Sequence, residues 1–297
     1  MIRYLYPDAL LGKYIKHYFL LDFEFDAHTA VPLKVYPANP EQGLTFHVRG
    51  KVFAETPEVG IAGMHAKSVL YGQLTCRQNL QPSKEYVMLQ VRFQPGAFHK
   101  LFRIPMTEFV NKNLDAELVF GAEFRLLNEE MANAKNIEDL VPIFERFLWQ
   151  KIKQTKELIK PIDKIGQMIF MNPQSFNPKV FAHEACLSVS QFERVFLNQV
   201  GVSAKFYARI CRFHRAYRMK EQQPDLDWFS IAISLGYADY QHLAKDFKQF
   251  SGVAPNSLIV ESKQAPERVF GFADFLPLTV PIDGLVLSCH TKTSSNP

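Results

Sequence analysis

The sequence predicts an α+β fold: a β-rich, barrel-like N-terminal domain, then an all-α domain of two helix-turn-helix units joined by a connecting helix. Three observations predict it. Strand texture is confined to about the first 120 residues, helical periodicity begins near Glu123, and residues 186–204 are repeated loosely at 236–255. At 297 residues the chain is long enough for two domains, each with its own core. Hydrophobic residues at 47% and charged residues at 22% place it with globular rather than disordered chains.

Residues 1–120 carry β-branched and aromatic runs broken by turn residues: LKVYP, LTFHVRGKVFA, SVLYGQL and YVMLQVRF. A hairpin is expected at Arg49-Gly50-Lys51. In QPGAFHKLF, Pro95 and Gly96 end a strand, and Ala97 to Phe102 begin a helix. Residues 121–158 are expected to be helical, a linker or dimerisation segment. There Leu140, Phe144, Phe147, Leu148 and Ile152 form an apolar stripe, fit for its own domain or for a second copy of the chain. A hinge is expected at KELIKPID, residues 156–163, because Pro161 suits the first turn of a new helix. Short helices fill residues 159–262. The tail, residues 263–297, is expected to dock as an extended strand or to stay mobile.

Composition excludes several classes. The first residues, MIRYLYPDALLGKYIKHYFLLDF, interrupt their apolar run with charges and offer neither a signal-peptide core nor a membrane span, so a cytoplasmic protein without membrane contact is expected. Cys76, Cys186, Cys211 and Cys289 form no C-x-x-C pair and are expected to be buried reduced thiols. A net charge of +4 is too small to identify a polyanion partner by itself.

The repeat says more. Shifting by 51 positions sets Phe192 on Leu243, Phe196 on Phe247 and Gly201 on Gly252. The shared positions are apolar at i, i+4 and form one core face. Outward residues differ: Ser190, Gln191, Glu193 and Arg194 in the first copy, Tyr240, Gln241, Lys245 and Lys248 in the second. Each second helix is preceded by a short helix carrying Ala182 or Ala232, then a turn at Cys186 or Gly236. Small residues allow a close crossing, and glycine suits the turn. A helix about 10–12 Å across fits the major groove, where such polar side chains reach base edges. Two units could read segments roughly 34 Å apart. Between them, SAKFYARICRFHRAYRMK holds no acidic residue and spaces Arg209, Arg212, Arg215 and Arg218 at i+3.

Residues 159–262 resemble the DNA-binding domain of AraC/XylS-type transcription regulators. The motifs are SVSQFERVFLNQVGVSAKFYARICRFHRAYRM and SIAISLGYADYQHLAKDFKQFSGVAP. The N-terminal half is similar to β-rich sensor domains of some members through YPANPEQGLTFHV and VRFQPGAFHKLFRIP. The resemblance implies a sequence-specific regulator of double-stranded DNA, modulated by a small-molecule or protein effector at the first domain, with a homodimer as a further assembly. It assigns DNA contact to Ser188, Ser190, Gln191, Glu193 and Arg194 in the first unit, and to Asp239, Tyr240, Gln241, Lys245 and Lys248 in the second. Cys186, where the family often has glycine, implies a less regular first turn.

Each signal has a plainer reading. Phe192, Phe196, Leu243, Phe247 and Phe250 are expected to be core, and the connector arginines to meet solvent or nearby carboxylates before phosphates. His47, His65 and His99 lack a close His-x-His grouping and are expected to be structural. No catalytic residue, metal or cofactor is expected, since no nucleophile elbow, phosphate loop or dinucleotide fingerprint occurs. Cys289-His290 sits in a tail too short for a catalytic domain. The alternatives are a cupin-like enzyme tethered to nucleic acid and a pure interaction adaptor.

Overall fold

The structure is a computed structural model, and it describes residues 1–155 and 160–271. Ten strands come first, interrupted by one α-helix and three short 3-10 turns: β1 (Ile2–Leu5), β2 (Ile15–Glu24), β3 (Lys34–Tyr36), β4 (Gly43–Arg49), β5 (Val52–Thr56), β6 (Ile61–Met64), β7 (Ser68–Tyr71), β8 (Gln78–Pro82), β9 (Glu85–Phe93), α1 (Ala97–Phe102) and β10 (Asn113–Asp115). They form two antiparallel sheets, one ordered β1-β2-β9-β4-β7-β10 and the other β3-β8-β5-β6. Helices follow: α2 (Ala116–Phe120), α3 (Ala122–Ala132), α4 (Leu140–Thr155), α5 (Ile162–Met171), α6 (Pro178–Glu184), α7 (Val189–Val200), α8 (Ala204–Gln222), α9 (Trp228–Ser234), α10 (Tyr240–Ser251), α11 (Pro255–Ser262) and α12 (Pro266–Val269).

The six-stranded sheet is buried on both faces. Tyr18 and Leu20 of β2 face α1, α3 and α4, where Phe98, Phe124, Phe144 and Leu148 complete one core. Phe19, Leu21 and Phe23, pointing the other way by the period-two alternation of a strand, meet Val52 and Leu80 of the smaller sheet. The stripe on α4 is therefore spent inside its own domain: Leu140, Phe144 and Leu148 are almost fully buried there, with Ile152 packed at the margin. A second copy of the chain would not find this stripe open.

Three expectations change. Arg49-Gly50-Lys51 is not a hairpin, because β4 pairs with β7 and β9 while β5 pairs with β6 and β8. The turn instead carries the chain from one sheet to the other, and Gly50 (φ 81°) is needed there: a Cβ would lie 2.2 Å from the carbonyl oxygen of Glu85. The tail begins with the helical turn α12 rather than a strand, Pro266 opening it. The rest of the tail, Cys289-His290 included, lies outside the described residues. Cys76 and Cys211 are buried, but Cys186 is exposed.

Between the sheets, His47 Nδ1 lies 2.6 Å from Tyr86 Oη, and His47 Nε2 lies 3.2 Å from His65 Nδ1. Burial holds His47 down to about 3 and His65 down to about 4, the neighbouring His65 adding to the effect on His47. Both imidazoles are thus neutral in the fold. Since their folded values lie below the unfolded one, their stabilising contribution is complete above about pH 6.5 and is lost as pH falls from there to about 4 for His65 and about 3 for His47. Thermal unfolding from pH 7 to 5 should show a loss of up to about 2 kcal/mol per imidazole. His47→Gln with His65→Gln should flatten that slope; an unchanged slope would assign the acid sensitivity elsewhere.

Candidate nucleic-acid interface

Two short helix pairs repeat one local design. In the first, α6 ends in a turn at Cys186, where the Cys186 N–H donates to His183 O (2.9 Å) and the Leu187 N–H to Ala182 O (2.9 Å). In the second, after α9, the Gly236 N–H donates to Ile233 O (3.0 Å) and the Tyr237 N–H to Ala232 O (3.0 Å). The backbone is left-handed at both, with φ 56° at Cys186 and 73° at Gly236. The first turn is therefore as regular as the second, contrary to the expectation from its cysteine. Its cost is steric, because Cβ crowds the carbonyl in this conformation.

Each second helix is then started by a side-chain cap. Ser188 Oγ accepts from the Gln191 N–H, and Gln191 Oε1 accepts in return from the Ser188 N–H, which makes a capping box. Asp239 Oδ1 accepts from the backbone N–H of His242 at 2.8 Å, with His242 Nδ1 2.9 Å away. Both helices stop at a left-handed glycine, Gly201 or Gly252. The apolar face of α7 (Phe192, Phe196, Val200) sits in one core, and that of α10 (Leu243, Phe247, Phe250) in another.

Helix α8 belongs to both cores. Tyr207, Ala208 and Cys211 enter the first; Ile210, Phe213 and Ala216 enter the second. Its arginines turn inward to the protein: Arg209 donates to Asp246 (2.6 Å) and Gln249 (2.8 Å), and Arg212 lies over the Tyr237 ring, 4.0 Å from its centroid. Arg215 donates to the Met171 carbonyl, and Arg218 to Glu221. The i+3 stripe is a set of internal ties rather than an open basic face.

What remains outward is narrower than the sequence suggested. Ser190, Glu193 and Arg194 on α7, and Tyr240, Gln241 and Lys245 on α10, are exposed and make no hydrogen bond or ion pair among the described residues. Ser188, Gln191 and Asp239 are also at the surface but hold the helix starts, while Lys248 donates to the Gly252 carbonyl at 2.8 Å. Glu193 pairs with neither Arg194 nor Arg209. The exposed His242 was missed, although the 51-residue shift sets it opposite Gln191.

The inner half of α7 is docked on the first domain. The Val200 carbonyl accepts from Gln42 Nε2 (2.7 Å), and Asn198 Nδ2 lies 3.3 Å from His99 Nε2. A Cβ on Gly201 would fall 2.7 Å from Met106 O. Lys100 pairs with Asp163. The second unit is held as well: the Ala38 N–H donates to Phe250 O (2.9 Å), and Arg77 pairs with Glu261 at 2.7 Å.

Paired helix-turn-helix units on one shared helix, each with a free polar face, define a DNA-binding protein. Residues 181–259 match the family described as a helix-turn-helix domain, and residues 3–115 match a domain of unknown function (DUF6597). By that match the C-terminal region carries a helix-turn-helix domain. No curated protein matches the chain. Among solved structures, ToxT from Vibrio cholerae is similar over 82% of this chain and 98% of its own, at 13% identity and a TM-score of 0.46. An AraC-type regulator from Chromobacterium violaceum aligns with 35% of this chain and 90% of its own, at 20% identity and a TM-score of 0.31. No helix among the described residues is long and apolar enough to cross a membrane.

The strain at Cys186 has a measurable consequence. Cys186→Gly removes the Cβ while keeping the turn and should stabilise the chain by about 1 kcal/mol in urea unfolding. A destabilisation would mean that the thiol contributes contacts outweighing the backbone relief.

Proposed function

We propose that this regulator reads two adjacent major-groove segments, one with the outward face of α7 and one with that of α10. The observation that carries this reading is the division of labour on the surface. The four arginines of α8 are consumed by internal contacts, whereas Arg194 and Lys245 are left free at matching positions of the two repeats. Phosphate contacts fix register, and base-edge contacts from such free groups give specificity. Ser190, Glu193, Tyr240 and Gln241 share those faces. Ser188, Gln191 and Asp239 serve mainly by shaping the helix starts, whose N–H groups suit phosphates.

The N-terminal domain is proposed as the regulatory half, acting on DNA reading through Gln42, His99 and Lys100, which grip α7 and α5. An effector that prefers one arrangement of this contact shifts the population of DNA-competent chains. Binding rather than catalysis is the role inferred for the first domain. Within that domain His47 Nε2 is taken up by His65 Nδ1.

Selection of bound sequences from random DNA with the full chain tests the reading. One enriched site spanning two groove segments is expected. Arg194→Ala and Lys245→Ala should each weaken that site by roughly 1–3 kcal/mol more than random DNA. Equal losses on all sequences would make both residues phosphate contacts and sink the base-reading assignment.

A further inference from the structure

The DNA-reading surfaces leave unused a cavity of about 90 Å³ between the two sheets. Phe19, Leu21, Val52, Val69 and Leu80 give it apolar walls. Interiors are normally close-packed, and a void forfeits dispersion contacts on every side, so an open space here is a standing cost unless something fills it.

Its charged groups are already satisfied. Arg92 is paired with the buried Glu41, and Lys34 with Glu267. An incoming carboxylate would have to compete with the buried Glu41 for Arg92 and with Glu267 for Lys34. The cavity therefore disfavours anions.

At one end stands a chain of hydrogen bonds with an unused terminus. Tyr86 Oη has two neighbours, His47 Nδ1 at 2.6 Å and the Met88 thioether at 3.3 Å. Sulfur is the weak acceptor, so the phenol donates to His47 Nδ1. That fixes the proton of neutral His47 on Nε2, from which it is donated to His65 Nδ1. His65 then carries its own proton on Nε2. This buried N–H has no partner among the described residues, and an unmet buried donor costs free energy.

We propose that the cavity binds a small, uncharged, largely apolar molecule with one hydrogen-bond acceptor, a carbonyl or ether oxygen, which His65 Nε2–H engages. Pro266 and Glu267 of α12 complete the lining, and Phe270 packs on Phe23 and Phe25 beside it. Because α12 follows directly on α11, whose Leu258 sits in the second helix-turn-helix core, the ligand touches the strap that leaves the second reading unit. This consequence for DNA binding rests on the N-terminal domain being the regulatory half; ligand binding itself does not.

The test titrates the full chain with three probes of similar size, observed by ¹⁹F NMR: 4-fluoroacetophenone, 4-fluorobenzoate and 1-ethyl-4-fluorobenzene. The ketone should saturate a single site. The benzoate and the ethyl compound should each bind roughly tenfold more weakly, the cost of a lost hydrogen bond or a misplaced charge. His65→Phe should bring the ketone down to the level of the ethyl compound, and Val69→Trp should abolish binding. Hydrogen exchange on the unmutated chain gives a readout free of folding defects: the ketone should slow exchange at residues 65–71 and 266–270. Equal binding of ketone and benzoate, or ketone binding untouched by His65→Phe in a folded variant, overturns the assignment. Binding of selected DNA by the ligand-free chain is measured alongside. Its failure would overturn the DNA-reading proposal while leaving the cavity result standing.

Discussion

Everything in the C-terminal half depends on one helix being buried on two sides. Residues 207, 208 and 211 of α8 serve one core and residues 210, 213 and 216 the other, so neither unit can rotate without moving both. The arginine ties from α8 to Asp246, Tyr237 and Met171 tighten the same constraint. A regular helix rises about 1.5 Å per residue, and the offset between the two reading faces is thus a fixed length rather than a flexible tether. Spacing becomes part of the recognition.

The first domain closes on this rigid unit at two places. Contacts at Val200, Asn198 and Gly201 fall on the end of α7 away from its outward residues, while Ala38 and Arg77 hold the second unit. Near this seam a buried network collects. Burial disfavours the charge on Glu41, but Arg92 and Lys16 beside it hold its carboxyl well below the usual carboxylate range. Burial pushes His214 of α8 down to about 3. A seam of paired and neutralised groups is sensitive to geometry, because any relative shift exposes or separates charges that were matched in place.

Much of this was readable from spacing. The i, i+4 apolar pairs of α7 and α10 and the strand runs from LTFHV to VMLQVRF are strongly periodic, and their elements appear as expected. β2 was not visible, although it is the longest strand, because KHYFLL is buried on both faces and shows no alternation. β8 was hidden too, since Gln78, Asn79 and Pro82 are poor strand formers held by pairing with β3 and β5. On the reading faces, the residue types were legible but their engagement was not. Capping by Ser188 and Asp239 is a local signal that sequence alone can offer. The inward turn of Arg209 and Arg212 depends on Asp246, 37 and 34 residues away, and only the tertiary fold supplies it.

The bond from the Ala38 N–H to the Phe250 carbonyl carries one more meaning. Ala38 is fully buried within the hydrophobic cluster formed by α8, α9, α10 and α11, so a residue from the first forty helps build the last helix-turn-helix unit. The boundary drawn by sequence similarity and the boundary of cooperative folding therefore do not coincide. A fragment cut near residue 160 would lack a piece of its own interior, and weak DNA binding by such a fragment would report a damaged fold as much as a missing regulator.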